Sequence, residues 1–327
     1  MPDFVEISPW HWAGFIVCVL VFLALDLGLF HRRARVVKFK EAAVWSAVWF
    51  ALAMAFAGAM AHWRGSEEAI QFTTGYIIEL SLSMDNVFVI ALIFAFFRVP
   101  SQYQHRVLFW GILGALLMRG LMIAAGAALV QRFQWTLYLF GAFLVVTGVK
   151  MFFVKDDGVH PEKNPLVRCA RKFFPVTTEL HGQKFLTRLD GRRMLTPLAL
   201  VLLVVETTDL IFALDSIPAI FAVTTKPFIV FTSNVFAILG LRSLYFLLAG
   251  AIGYFRYLKI GLSVVLVFIG VKMLLDPHGR EPGRFQVEIP TGISLMTVAA
   301  IILIAIVLSV MVVEREKRTG AGNSSKP

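Results

Sequence analysis

Two cysteines in 327 residues, Cys18 and Cys169, are too few and too far apart for a disulfide scaffold or a cysteine-ligated metal site. Charged residues are scarce as well, 16% of the chain, where soluble chains carry about 25%. No Gly-x-x-x-x-Gly-Lys-Ser/Thr run is present to cradle nucleotide phosphates. No Gly-x-Gly-Asp setting surrounds an aspartate, which sets aside an intramembrane aspartyl protease. The sequence therefore points to no enzyme, no permanently bound cofactor and no nucleic-acid partner. What it has in excess is apolar residues, 58% with a mean hydropathy of +0.76, and this excludes intrinsic disorder. It also carries a formal charge of +10, from 31 Lys and Arg against 21 Asp and Glu. A polytopic all-α membrane protein accommodates both, provided that the positive charge sits in loops.

About 17–25 mostly apolar residues span a bilayer as a helix. Nine such runs are present, over 9–29, 43–61, 70–96, 107–130, 134–154, 197–221, 229–252, 257–275 and 290–313, and none alternates like an outer-membrane strand. Asp3 and Glu6, with no Lys or Arg beside them, argue against the first run being a cleaved signal peptide. Short cytoplasmic loops collect Lys and Arg. The link after the first run holds Arg32, Arg33, Arg35, Lys38 and Lys40, which places it inside. Alternating from there, the inner side holds 22 Lys and Arg and the outer side five. The sequence thus predicts nine transmembrane helices, N-out and C-in. The chain divides into 1–69 (helices 1 and 2), 70–154 (a three-helix unit), 155–196 (a basic cytoplasmic linker), 197–275 (a second three-helix unit), 276–313 (an outer loop and helix 9) and 314–327, a tail of disordered composition.

The two three-helix units echo each other. Asp85-Asn86-Val87-Phe88-Val89-Ile90 matches Asp209-Leu210-Ile211-Phe212-Ala213-Leu214 at an offset of 124. Arg119 matches Arg242 at 123, and Gly148-Val149-Lys150-Met151 recurs as Gly270-Val271-Lys272-Met273 at 122. An odd number of spans per unit forces the second copy to run upside down. Inverted repeats of this kind place transported substrates near the membrane midplane.

An ionisable residue at the centre of a span costs at least about 2.5–3.5 kcal/mol. Six acids lie within spans, Asp26, Glu79, Asp85, Glu206, Asp209 and Asp215, with four bases, Arg119, Lys150, Arg242 and Lys272. Lys150 and Lys272 are near helix ends, where they can snorkel as anchors. Counting depth at 1.5 Å per residue gives an order from inside to outside of Asp26, Glu206, Asp85 with Asp209, then Glu79 with Asp215. Glu79, Ser83 and Asn86 share one face of helix 3, with Asp85 nearly opposite, and Glu206 and Asp209 share a face of helix 6 with Ser216 while Thr208 and Asp215 point away. Neither helix has a wide lipid-tolerant stripe, so both should be central. Pro218 frees the Leu214 carbonyl, and Thr232, Ser233 and Asn234 enter helix 7 at a similar depth. All seven histidines fall at span edges or in loops. An oxygen-only set suits Mn, Mg or Ca rather than zinc or copper. The plainer reading is that Arg119–Asp85 and Arg242–Asp209 are fixed ion pairs.

At these residues the sequence resembles the TerC family of integral membrane proteins, most closely its Alx-like branch. The resemblance is carried by Glu79-Leu80-Ser81-Leu82-Ser83-Met84-Asp85-Asn86-Val87-Phe88-Val89, by Phe140-Gly141-Ala142-Phe143 through Lys150-Met151, by Glu206 through Val223-Thr224, by Thr232-Ser233-Asn234 through Leu241-Arg242, and by Asp26-Leu27-Gly28. It implies a bacterial inner-membrane protein that exports manganese, with Glu79, Asp85, Asn86, Glu206, Asp209 and Asp215 on matching motif positions as the metal set. Asp26, Ser83, Thr208, Asn234, Arg119, Arg242, Lys150 and Lys272 are then pathway or ion-pair residues.

The expected function is a secondary Mn2+ exporter coupled to proton influx, with the metal ion and the lipid bilayer as its partners. Ca2+ is the alternative cargo. A non-transporting assembly module that docks partners on the basic linker 155–196 is the alternative class.

Overall fold

An apolar segment in a bilayer has no water to satisfy its amides, so it closes its hydrogen bonds internally as helix. The computed structural model describes residues 7–30, 39–153, 167–169, 172, 174–177, 180, 182–189, 192–249, 258–277, 286–287 and 289–323. Among them run nine long helices: α1 (Pro9–Phe30), α2 (Phe39–Arg64), α3 (Ser66–Phe96), α4 (Ser101–Arg132), α5 (Thr136–Phe153), α6 (Pro197–Phe221), α7 (Pro227–Ala249), α8 (Leu258–Leu275) and α9 (Thr291–Asn323). Helices α2 to α9 contain eight spans long and apolar enough to cross a membrane, while the apolar stretch described in α1, Pro9–Ala24, is shorter than that.

Local chemistry sets the boundaries. Gly65 alone separates α2 from α3, and its φ of 92° is one that side-chain-bearing residues rarely adopt. Thr196 caps α6: its Oγ1 accepts from the Ala199 amide at 3.4 Å, and Pro197 follows at a position where no helical N–H is needed. Two departures from the sequence reading are local. Within the described part of 155–196, Leu186–Leu189 (β1) pairs antiparallel with Arg192–Leu195 (β2), so a small hairpin accompanies the helices. At the other end, α9 stays helical to Asn323, where composition alone reads as a disordered tail from 314. Glu314-Arg315-Glu316-Lys317-Arg318 has the helix propensity to carry the last turns on.

The packing crosses between the two halves of the chain. α3 lies chiefly on α7, α4 on α6 and α5 on α8, whereas α3 and α4 barely touch within their own half. Gly75 meets Ser233 and Phe94 meets Tyr245, so α3 and α7 run in the same direction. Gly111 meets Val205 and Gly126 meets Phe221, so α4 and α6 also run in the same direction. Gly141 meets Gly270 while Gly148 meets Ser263, so α5 and α8 run antiparallel. Helices α1 and α2 cover α7 and α3 through Phe15, Phe56, Phe72 and Phe236, and α9 lies on α8 and α3. At one end of the bundle Glu68 accepts from Arg64 at 2.8 Å and from Lys226 at 2.8 Å. That joins the α2–α3 link to the α6–α7 link, which the charge rule had placed on one side.

The most enclosed helix is α7, with 83% of its span window buried, against 56% for α3 and 39% for α6. The expectation that α6 has no lipid-tolerant face is therefore corrected. Leu210, Ile211 and Leu214 form an exposed stripe on it, and the sequence hid this because acids and apolar residues alternate there at less than a helical turn.

Candidate functional site

The centre of the site is Arg119, on α4, whose side chain is 2% exposed. Its Nε donates to Asp209 Oδ2 at 3.2 Å and its Nη2 to Asp209 Oδ1 at 2.9 Å, the forked geometry that a planar guanidinium offers a carboxylate. Nη1 donates to Glu79 Oε1, and to Ser216 Oγ at 3.4 Å. One side chain thus ties α4 to α3 and α6. The fixed pairs drawn from sequence, Arg119–Asp85 and Arg242–Asp209, are corrected in their first member and displaced in their second: Arg119 holds Asp209 of the other half.

The order of depths changes with it. Glu79 and Asp209 are within reach of one guanidinium, so they are not the separate rungs that residue counting made them. Asp215 instead shares a small cavity, about 50 Å³, with Asp85, Asn86 and Ser216, closed by Met151 of α5 and Leu262 of α8. Counting at 1.5 Å per residue assumes that the helices stand at one height and without tilt, and neither is written in a sequence. The cavity has room for about one or two waters or a small ion. Thr147 of α5 hydrogen-bonds Asp215, and Lys150 is near enough to act on it electrostatically. Ser216 belongs to both groups, as acceptor for Arg119 and as cavity lining.

Glu206 lies one turn before Asp209 and near enough to feel its charge. It is seated against Gly114 of α4, where a Cβ would collide with the carboxylate. Three polar groups in this region are buried without a hydrogen-bond partner: Glu79 Oε2, Glu206 Oε2 and both amide atoms of Asn234. Asn234 shares a face of α7 with Leu241 and Tyr245, at i, i+7 and i+11. Tyr245 donates to Gln104 of α4 at 3.0 Å and packs on Phe94 of α3, so this face looks onto the α3–α4 seam. Native buried polar groups are rarely left unsatisfied.

The other expected residues are placed as follows. Ser83 is buried on α3, and Thr208 donates to its own helix at Val204 O, 2.7 Å away. Asp85 and Arg242 are both engaged by neighbours. Lys150 is exposed, as an anchor would be, while Lys272 is buried with Asp276 nearby. Asp26 falls in α1 with its side chain outside the described residues. Among the described residues, no three His, Cys, Asp or Glu are close enough to hold a metal ion together. The acids are divided between the arginine cluster and the cavity. Sequence reasoning missed Gly114, Thr147 and the double role of Ser216. Only Gly114 had a signal, as a small residue within a span that lets a neighbouring helix come close.

Similarity to known proteins spans the helices that carry these residues. The family described as Integral membrane protein TerC family matches over residues 64–318. The chain is 55% identical over 287 residues to an uncharacterized membrane protein of Myxococcus xanthus, covering 88% of this chain and 90% of that one. It is 46% identical over 314 residues to a protein of Photorhabdus laumondii named putative membrane-bound redox modulator Alx, covering 93% and 96%. A protein of Escherichia coli K12 with the same name is 48% identical over 299 residues, covering 89% and 93%. No solved structure matches the chain.

Proposed function

The chain belongs to the TerC family of integral membrane proteins, and on that premise we propose that it is a secondary transporter exporting Mn2+ from the cytoplasm in exchange for protons. The observation that carries this reading is the joined pair of buried groups: Arg119 on Glu79 and Asp209, linked through Ser216 to a cavity bearing Asp85, Asn86 and Asp215. Carboxylates this deep cost too much to be kept for packing alone. Their oxygen-only chemistry suits a hard divalent cation, and a carboxylate that releases metal can accept a proton.

Helix directions support an inverted repeat. At the offset of 122, Gly148 corresponds to Gly270 and Gly141 to Ser263. The Gly141–Gly270 and Gly148–Ser263 contacts therefore exchange with each other. Two corresponding helices that cross antiparallel are related by a two-fold axis perpendicular to both. For membrane spans that axis lies in the membrane plane, the symmetry of alternating-access carriers. The cytoplasmic metal would enter past Asp26 and Glu206 and pass the two central groups as the halves rock. The relatives named redox modulators carry that description as their own.

The test is radioactive Mn2+ flux in liposomes holding the purified protein, with and without a pH gradient and with Ca2+ as competitor. Wild-type protein should move Mn2+ against the gradient of protons, and Asp85→Asn and Asp209→Asn should each abolish it. Wild-type protein that moves neither Mn2+ nor Ca2+, or amide variants that move the cargo normally, would overturn the reading. If Ca2+ alone is carried, the antiporter assignment stands with calcium as cargo.

A further inference from the structure

We propose that Arg119 is a tethered counter-cation: it holds the cargo's place on Glu79 and Asp209 between loads and yields it when a metal ion arrives. This rests on the transport reading above and adds a device to it. A staple built only for stability would satisfy the groups it holds. Here Arg119 takes both oxygens of Asp209 but only one of Glu79, and Glu79 Oε2 is buried without a partner. Glu206, next to Asp209, has a second orphaned oxygen. Two carboxylates, Glu79 and Asp209, therefore meet one guanidinium, with Glu206 one turn from Asp209. With the guanidinium withdrawn, the charge of Glu79 and Asp209 matches one divalent ion, and the partnerless oxygens of Glu79 and Glu206 are ligand positions that the guanidinium does not reach.

Geometry makes the two cations alternatives. The Asp209 oxygens are both engaged at 3.2 Å and 2.9 Å, so a metal ion can chelate the pair on that face only if the fork withdraws. A place for the incoming ion exists next to the cluster. The cavity of about 50 Å³ with Asp85 and Asp215 is separated from it by Ser216, whose hydroxyl Arg119 already touches. Arginine suits the role because it stays charged at every physiological pH and binds carboxylates through a rigid fork, which lysine does not. Since Glu79 and Asp209 come from different halves of the chain, the same guanidinium also fixes those halves together while no cargo is bound. Its departure on loading would let them move.

The test compares wild type, Arg119→Gln and Arg119→Lys as full-length protein, by equilibrium Mn2+ binding in nanodiscs and Mn2+ flux in liposomes. Without the competing cation, Arg119→Gln should bind Mn2+ at least tenfold more tightly while its flux falls at least tenfold, because the empty state is no longer held. Arg119→Lys should lie between the two in both measurements. A structural staple predicts the opposite sign, with folded Arg119→Gln binding Mn2+ no better or worse than wild type, and that result overturns the inference. If Arg119→Gln does not stay monodisperse, Arg119→Lys decides by the same sign. Failure of the wild type to bind or carry Mn2+ sinks the manganese reading and this inference with it. Normal wild-type flux with no tightening in the variants sinks the inference alone.

Discussion

The substitution Gly270→Ala probes the contact on which the two halves cross. A Cβ at Gly270 would stand 2.7 Å from the Gly141 carbonyl oxygen, 2.8 Å from the Val145 amide nitrogen and 2.8 Å from Val145 Cγ2. Carbon atoms rest about 3.5–4.0 Å from their neighbours, and a gap of about 0.5–1 Å forfeits a quarter to a half of a contact's attraction. Two of the three atoms are backbone, so no rotamer change relieves the overlap and α5 must move away from α8. Overpacking of this kind costs about 1–3 kcal/mol, against about 1 kcal/mol that Gly→Ala gains in a helix interior. At Gly14 and Gly58 an added methyl group would have nothing within 4 Å, and their alanine variants receive the gain without the cost. Thermal unfolding in one detergent should therefore rank Gly58→Ala and Gly14→Ala at or above wild type. Gly141→Ala, whose nearest atom is 3.0 Å away, should fall a little below. Gly148→Ala and Gly270→Ala should be lowest, and Mn2+ flux should fall with them. If Gly270→Ala melts with Gly58→Ala, the close crossing of α5 and α8 is wrong.

Three other substitutions separate positioning from packing. Gly114→Ala puts a methyl group where the Glu206 carboxylate sits; the flexible side chain can swing away, so stability should change by less than about 1 kcal/mol while Mn2+ flux drops severalfold. Asn234→Leu removes two buried, unpartnered polar atoms and should raise the melting temperature, since an unsatisfied buried amide costs about 1–3 kcal/mol; loss of flux in the same variant would mark Asn234 as part of the ion path, and retained flux would make it a packing residue. Thr196→Ala removes the cap on the Ala199 amide and the 2.7 Å hydrogen bond to the Lys184 carbonyl, and should cost about 1 kcal/mol in thermal unfolding with little effect on Mn2+ affinity.

The helices were legible because a bilayer allows a 20-residue apolar run few alternatives, and the expected runs fall on α1 to α9 with ends shifted by a few residues, apart from the C-terminal extension of α9. The correspondence of the two three-helix units is drawn from sequence alone, where Gly148-Val149-Lys150-Met151 recurs unchanged as Gly270-Val271-Lys272-Met273. The identity of the buried ions was legible too, since charge in an apolar run is its own signal. Their partners were not. Helical angles put Asp209 and Ser216 on one face correctly, and both touch Arg119. Nothing in the chain says that α4 leans on α6 rather than on α3, and that choice gave Arg119 to Asp209 instead of Asp85. Heights failed for a related reason: axial shifts between helices are fixed by glycine contacts such as Gly111 with Val205 and Gly75 with Ser233, which are read only once the packing is known.

The crossing of α5 and α8 is self-complementary in the way of an isologous dimer interface. In a dimer of identical chains both ends of such a contact must be the same. Here the two halves are covalently one chain, and the ends differ. At one end Gly141 faces Gly270 with backbone against backbone; at the other Ser263 Oγ donates to the Gly148 carbonyl. Parting the helices at the first end gives up van der Waals contact alone, while parting them at the second also breaks a hydrogen bond with no water to replace it. The seam has a latch at one end and none at the other, so it opens more readily like a door than like a drawer.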